Sequence, residues 1–334
     1  MSGSVMQGET ELKTQTDELV FGREGVFRTG KGPDGTFVEM PYSGIRTFLR
    51  RRPTLDMADV DIAVYGVPFD LTTSGRPGAR MGPAAMREAS AQLAWGEVWP
   101  WGFDPFDHLS VVDAGDVPFR RGQVGHALEA ATEFARRIVT QGAGTVMMGG
   151  DHCTTYTTLK AHAERHGPLA LIQFDAHRDT QASEFLDHGT FVHHAMSEGL
   201  IDPARSIQIG IRTFYDNDDP IKVLYRDWIV EHGWNAVLDE IREIVGKGPV
   251  YLSIDIDGID PAFAPGTGTP VVDGLSPNDL IRFLRNSVEL DIVGMDLVEV
   301  APAYDPAGVT ALLGASLIME HICARAARKV ASNG

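Results

Sequence analysis

Cysteine is nearly absent from this chain: 334 residues contain two, Cys153 and Cys323. Two thiols cannot build a disulfide scaffold, so a reducing cytosol is the expected setting. Long apolar runs are missing as well. None approaches the ~20 residues of a membrane span, and the opening stretch MSGSVMQGETELKTQT lacks the apolar core of a signal peptide. Positive charge is in deficit, with 29 Lys and Arg against 46 Asp and Glu and a formal net charge of −17. Such a surface repels phosphate backbones and anionic lipids, which argues against nucleic-acid and membrane partners. No repeat or linker divides the chain. What remains is an ordinary soluble composition, 43% hydrophobic and 22% charged, in a chain long enough for a sizeable core.

The expected layout is a disordered leader (1–17), an extension packed over the domain surface (18–57) and one catalytic domain (58–334). The extension, with GKGPDGTF and YSGIRTFLRRRP, is punctuated by Gly and Pro and keeps no sustained period. Beyond it, VDIAVYGV, LSVVDAG, GTVMMGG, LALIQFD, SIQIGI, PVYLSIDI and LDIVGMDLV are near-continuously apolar, as fully buried parallel strands should be. DWIV, near residue 228, is a weaker eighth. Helical spacing occupies 83–91, 122–141, 153–166, 235–246, 276–288 and 308–330, with Pro83 and Ser276-Pro277 as start signals. Strands alternating with helices predict a mostly parallel sheet covered on both faces.

Ligands bind such sheets outside the carboxyl ends of the strands, and there the polar residues gather. GTVMMGG leads into Asp151-His152-Cys153, LALIQ into Phe174-Asp175-Ala176-His177-Arg178-Asp179, and PVYLSI into Asp255-Ile256-Asp257; LDIVGMDLV leads into Glu299. Residues i and i+2 of a strand share a face, so Asp175 with His177 and Asp255 with Asp257 are two ligand pairs aimed alike. Four carboxylates in one cleft would repel severely. Two divalent cations would neutralise them, and mixed His and carboxylate donors suit Mn, Zn, Ni or Fe better than Ca or Mg.

These residues carry a resemblance. MGGDH, FDAHRDT, SIDIDGIDPAFAPGTGTP and GMDLVEVAPAYD, in that order, closely resemble the ureohydrolase family of arginase and agmatinase, most strongly bacterial agmatinases. LTTSGRPGARMGPAAMRE, EGLIDPARSIQIGIRT and DHGT extend the similarity from about Val60 to the C-terminal helix. The resemblance implies a three-layer α/β/α fold with a central eight-stranded, mostly parallel sheet. It implies that His152, Asp175, Asp179 and Asp255 hold one metal and His177, Asp175, Asp255 and Asp257 the other, with Asp175 and Asp255 bridging. The family usually uses two Mn²⁺, some members Ni²⁺, and assembles as homo-trimers or hexamers. All six ligand positions are intact, whereas a non-catalytic subunit of a mixed oligomer would have lost some. The two bridging aspartates also favour a binuclear site over that of a deacetylase of related architecture.

The implied reaction is hydrolysis of a small cationic guanidino compound to urea and an amine. A guanidinium is a poor electrophile that stays protonated to about pH 12, and paired metals supply a nucleophile by lowering the pKa of water from 15.7 toward about 7. Asp257 would help to shuttle the proton. Glu299 matches the acidic residue that holds the guanidinium, and a carboxylate suits planar N–H donors. His188, in DHGT, matches a loop histidine that would shuttle a proton or orient substrate.

Other histidines, His162 and His166 on a helix and His193-His194 at a helix start, have core or solvated roles. Cys153 is a small buried side chain, and APGTGTP lacks the features of a phosphate loop. Agmatine leads the substrates by resemblance. Arg178 opens an alternative, since it could bind the anionic tail of 4-guanidinobutyrate or 3-guanidinopropionate, or instead make a structural salt bridge facing away. The N-terminal extension could close the pocket for a compact substrate such as guanidine or a substituted biguanide.

Overall fold

Apolar residues on both sides of the inner strands require a layer of helices over each face, and the computed structural model shows that sandwich. It describes residues 29–30, 37–38, 40–214 and 219–333; the expected leader 1–17 lies outside them, with much of the extension. Eight strands form one sheet: β1 Ile62–Gly66, β2 Val111–Asp116, β3 Gly144–Met148, β4 Ala170–Phe174, β5 Ile207–Ile211, β6 Lys222–Tyr225, β7 Pro249–Asp255 and β8 Asp291–Val298. Their order is β2-β1-β3-β8-β7-β4-β5-β6, and every pairing is parallel.

Alternation sorts the core into two layers. Ile62 and Val64 join Val111, Val146, Ile172, Ile209, Leu252 and Leu297 on one face, where helices α1 (Gly82–Ser90), α5 (Arg226–Val245), α6 (Pro277–Arg285) and α7 (Val309–Asn333) pack. Ala63 and Tyr65 point the other way, against α2 (Val124–Thr140) and α3 (Thr154–His166), with α4 (Phe191–Ser197) beside them. The capping box of Ser276 and Asp279 fixes the start of α6. In the extension, Phe48 and Leu49 are fully buried, and the amide of Phe48 donates to Asp113 Oδ2 (2.7 Å).

Two expectations need correction. The eighth strand is Lys222–Tyr225, and Asp227–Val230 begins α5 instead. An edge strand is paired on one side only; of this one just Leu224 is fully buried, so no apolar run marks it. The helix expected from 235 begins at Arg226 and is interrupted at Gly233 (φ 78°). The C-terminal helix is also long and apolar enough over 309–332 to cross a membrane by length and composition, yet that stretch is 72% buried in the protein. It is a core helix.

Close approach fixes one glycine before the site. A Cβ at Gly150 would stand 1.6 Å from the carbonyl oxygen of Phe69, a backbone atom that cannot step aside, whereas one at Gly125 would meet nothing within 4 Å. Gly150→Ala should cost on the order of 3 kcal/mol or more, read as a lower unfolding midpoint, while Gly125→Ala stays at or slightly above wild type.

Candidate metal centre

Strand order explains how positions far apart in sequence meet. β3, β8, β7 and β4 are consecutive neighbours at the centre of the sheet. Their carboxyl ends release His152, Glu299, Asp255 with Asp257, and Asp175 with His177 and Asp179 into one cleft. The i, i+2 pairs converge for a reason other than strand alternation. β4 ends at Phe174, and Asp175 Oδ1 accepts from the amide of His177 (2.7 Å); likewise Asp255 Oδ1 accepts from the amide of Asp257 (2.8 Å). Both are turns in which a carboxylate folds back on the N–H two residues on. Gly258 lets the two turns approach, since a Cβ there would lie 2.9 Å from the nitrogen of Asp175.

Two clusters result, His152 with Asp175 and Asp255, and Asp175 with His177 and Asp257. His152 Nδ1 lies 3.1 Å from Asp175 Oδ2, 2.9 Å from Asp179 Oδ2 and 3.1 Å from Asp255 Oδ2. His177 Nδ1 lies 3.5 Å from Asp175 Oδ1 and 3.2 Å from Asp257 Oδ2. Asp175 therefore belongs to both clusters, one oxygen to each.

His152 provides the test of whether a cation fits. Ser253 Oγ donates to Asp296 Oδ1 (2.7 Å), so the hydroxyl oxygen is left to accept from His152 Nε2–H (2.9 Å). That leaves Nδ1, aimed at three carboxylates, as the atom that must carry either a proton or a cation; burial opposes the charge, but Asp175, Asp179 and Asp255 hold the imidazole's second proton well above its ordinary range when no metal is bound. Nδ1 is buried and has no hydrogen-bond partner among the described residues. A divalent cation suits this donor set; a neutral core does not.

The electrostatics agree. Burial and the neighbouring Asp257 and Asp175 charges raise Asp255 well above the carboxylate range, and burial with the Asp175 charge lifts Asp179 to about 6. Burial alone would lower His177, but Asp257 and Asp175 outweigh it and hold the imidazole proton to about 12. Protons thus occupy places that metal ions would take.

Glu299 and His188 adjoin this centre. Glu299 is buried, with φ 62°, a left-handed backbone that costs a non-glycine residue about 1–3 kcal/mol. Asp179 shares the conformation (φ 52°). Glu299 Oε1 accepts from the His152 amide (3.0 Å) and lies 3.2 Å from His188 Nδ1, while its Oε2 has no partner among the described residues. The Ser74 amide donates to His188 Nε2 (3.0 Å), so Nδ1 carries the proton toward Glu299. Burial opposes charge on this ring, but the Glu299 carboxylate, then Asp179 and Asp151, raise it to about 9. Ser74 Oγ, 2.8 Å from Nε2, can accept the second proton.

A cleft of about 230 Å³ opens over these groups, lined by Ser74, His177, Asp179, His188, Thr213 and Phe214 among others. Arg178 borders it, but its guanidinium is committed: Nη2 donates to both oxygens of Asp219 (2.7 Å each) and Nε to Gln208 (3.0 Å). Of the two roles open to Arg178, contact with an anionic substrate tail or a structural salt bridge, this buried ion pair fits the second. A larger cavity, about 350 Å³, lies at the amino ends of β1, β3 and β8. Its basic residues include Arg165, Arg325 and Arg328, near the carbonyl ends of α3 and α7, where cations are favoured.

The chain matches the model of the arginase family over residues 60–324, most of its length. It is 45% identical over 320 residues to an agmatinase of Chromobacterium violaceum, covering 95% of this chain and 99% of that one. It belongs to the arginase family. Two solved structures are similar. One, of a protein described as a hypothetical agmatinase from Burkholderia thailandensis, is 47% identical with a TM-score of 0.85 over 87% of this chain and 93% of its own. The other, proclavaminate amidino hydrolase from Streptomyces clavuligerus, is 39% identical with a TM-score of 0.83, over 87% and 100%. As an arginase-family enzyme the protein is a hydrolase of guanidino C–N bonds, and the two clusters are the candidate ligands of a binuclear divalent-metal centre.

Several residues of this arginase-family site escaped the sequence reading: Ser253, Asp296 and Tyr251 behind His152, Gln173 beside Asp175, and Thr72 on Asp151. A signal existed, since a polar residue inside an apolar strand must find a buried partner. His162, by contrast, bonds Thr145 in the core, and Cys153 is fully buried.

Two outcomes follow from the centre. Asp255→Ala should abolish metal occupancy and urea release together, measured by elemental analysis and product assay. Metal uptake by the metal-free protein at pH 7 should release at least one proton, because His177 holds one until about pH 12 and cannot ligate through that nitrogen while it does. Calorimetry in buffers of different ionisation enthalpy measures that number, and affinity should fall as pH falls.

Proposed function

We propose that the protein hydrolyses agmatine to urea and a diamine. The observation that carries this reading is Glu299, a buried carboxylate beside the paired clusters whose Oε2 has no partner among the described residues, suited to the planar N–H donors of a guanidinium. Its left-handed backbone and its bond to the His152 amide hold it in place before substrate arrives.

His152, Asp175, Asp179 and Asp255 would hold one ion and His177, Asp175, Asp255 and Asp257 the other, Mn²⁺ first and Ni²⁺ second. Bound there, two ions supply a water nucleophile at neutral pH. Glu299 orients the guanidinium carbon toward it. Asp257, steadied by the Thr269 hydroxyl (2.9 Å to Oδ2), would take the proton that the attacking water gives up and pass it to the amine as the C–N bond breaks, and His188 would relay protons between the cleft and Ser74.

The tail preference rests on charge. Among the described residues lining the cleft, Arg178 is the basic side chain suited to a carboxylate tail, and Asp219 already neutralises it. A net charge of −17 attracts a substrate with a cation at each end. The similarity to curated agmatinases points the same way. We place the enzyme in the cytosol as a homo-oligomer, a trimer or hexamer, with 58–334 as its catalytic domain.

A urea-release screen over agmatine, 4-guanidinobutyrate, 3-guanidinopropionate, arginine, guanidine and biguanides should give agmatine the highest kcat/KM. A guanidino acid or biguanide ahead of it would refute the tail assignment. Glu299→Gln should lower kcat/KM for agmatine by about 100-fold, the loss of a charge-assisted pair of hydrogen bonds at 2–3 kcal/mol.

A further inference from the structure

Two glutamines face each other in register on neighbouring strands, Gln173 on β4 and Gln208 on β5, both fully buried. Buried amides need partners for their donors and acceptors. Here the amides form a directed chain. Arg178 Nε donates to Gln208 Oε1 (3.0 Å), Gln208 Nε2 donates to Gln173 Oε1 (2.8 Å), and Gln173 Nε2 donates to Asp175 Oδ2 (2.7 Å). It starts at the ion pair of Arg178 with Asp219 and ends on the Asp175 oxygen that faces His152.

A pair of glutamines alone could run in either direction. Arg178 removes that freedom, because a guanidinium only donates. Its Nε requires an acceptor, so Gln208 turns Oε1 toward it, and the carbonyl oxygen of Arg178 holds Gln208 Nε2 from the other side (2.6 Å). Gln173 must then accept from Gln208 and give its N–H to Asp175. Run backwards, the chain would set a carbonyl oxygen against a carboxylate.

We propose that Arg178 is a positioning residue of the metal centre: it sets the direction of the Gln208–Gln173 relay, so that an N–H donor meets the carboxylate shared by both clusters. The donor fixes the plane of Asp175 and draws off part of the charge on Oδ2, which tunes how tightly that oxygen holds a cation. This rests on reading Asp175 as a metal ligand.

Gln208→Glu isolates the relay. The new carboxylate still accepts from Arg178 but cannot donate, so Gln173 donates to it and turns Oε1 on Asp175. Chelator competition with the metal-free protein and Mn²⁺ should show affinity about 10–100-fold weaker than wild type, in a protein that still folds by circular dichroism but with a lower unfolding midpoint, because the new carboxylate also faces the Arg178 carbonyl. Arg178→Met combined with Asp219→Asn, which leaves no unpaired charge, should weaken binding by less than Gln208→Glu does, because the carbonyl of residue 178 still accepts from Gln208 Nε2, whereas Arg178→Lys, which keeps a donor, should stay close to wild type. Wild-type protein that binds no metal would defeat the reading of Asp175 itself. Metal-binding wild type with a folded Gln208→Glu protein of equal affinity would overturn the relay, and an Arg178→Met/Asp219→Asn protein of equal affinity would overturn the part given to the Arg178 side chain.

Discussion

Mutual repulsion among Asp175, Asp179, Asp255 and Asp257 is the constraint on which the rest of the site depends. All four lie at the carboxyl ends of neighbouring strands, within reach of two imidazoles. A chain folding without regard to chemistry would separate them, because buried like charges are costly. This chain holds them together through backbone features with costs of their own. Asp179 and Glu299 adopt left-handed conformations, and Gly258 surrenders a side chain so that two turns can meet. Such strain gathers where function over-determines the backbone.

The surroundings orient donors more than they neutralise charge. Ser253 and Asp296 hold His152 with its Nδ1 toward the carboxylates, and Tyr251 holds Asp296 in turn (2.7 Å). Thr72 ties Asp151 to the loop that carries Ser74, so the partner of His188 and the strand end before His152 move together. The contacts behind His152 are short, buried and directional, which preserves ligand geometry within the narrow tolerance that catalysis requires.

Much of this could be read in the residues. The strands beneath the site are fully buried, so their apolar runs stand out, and the polar residues that end them mark the cleft. β6 escaped because an exposed edge strand buries one side chain and leaves no period, while Ile229 in DWIV belongs to the start of a helix. The pairing of Asp175 with His177 was foreseen through strand alternation, but the turn chemistry of the carboxylates produces it. Arg178 could not be oriented from sequence, since its partner Asp219 lies 41 residues away. Ser253, Gln173 and Gln208 were passed over because their strands looked apolar; what they do depends on which strands become neighbours.

The central claim is that the paired clusters hold two divalent ions that hydrolysis of the guanidino group requires. Metal stoichiometry measured alongside urea release from agmatine, through exhaustive chelation and readdition of Mn²⁺ or Ni²⁺, tests it most directly. The account predicts two ions per chain at full activity, none with activity lost after chelation, and recovery of both together. Undiminished urea release from protein stripped of metal would contradict it.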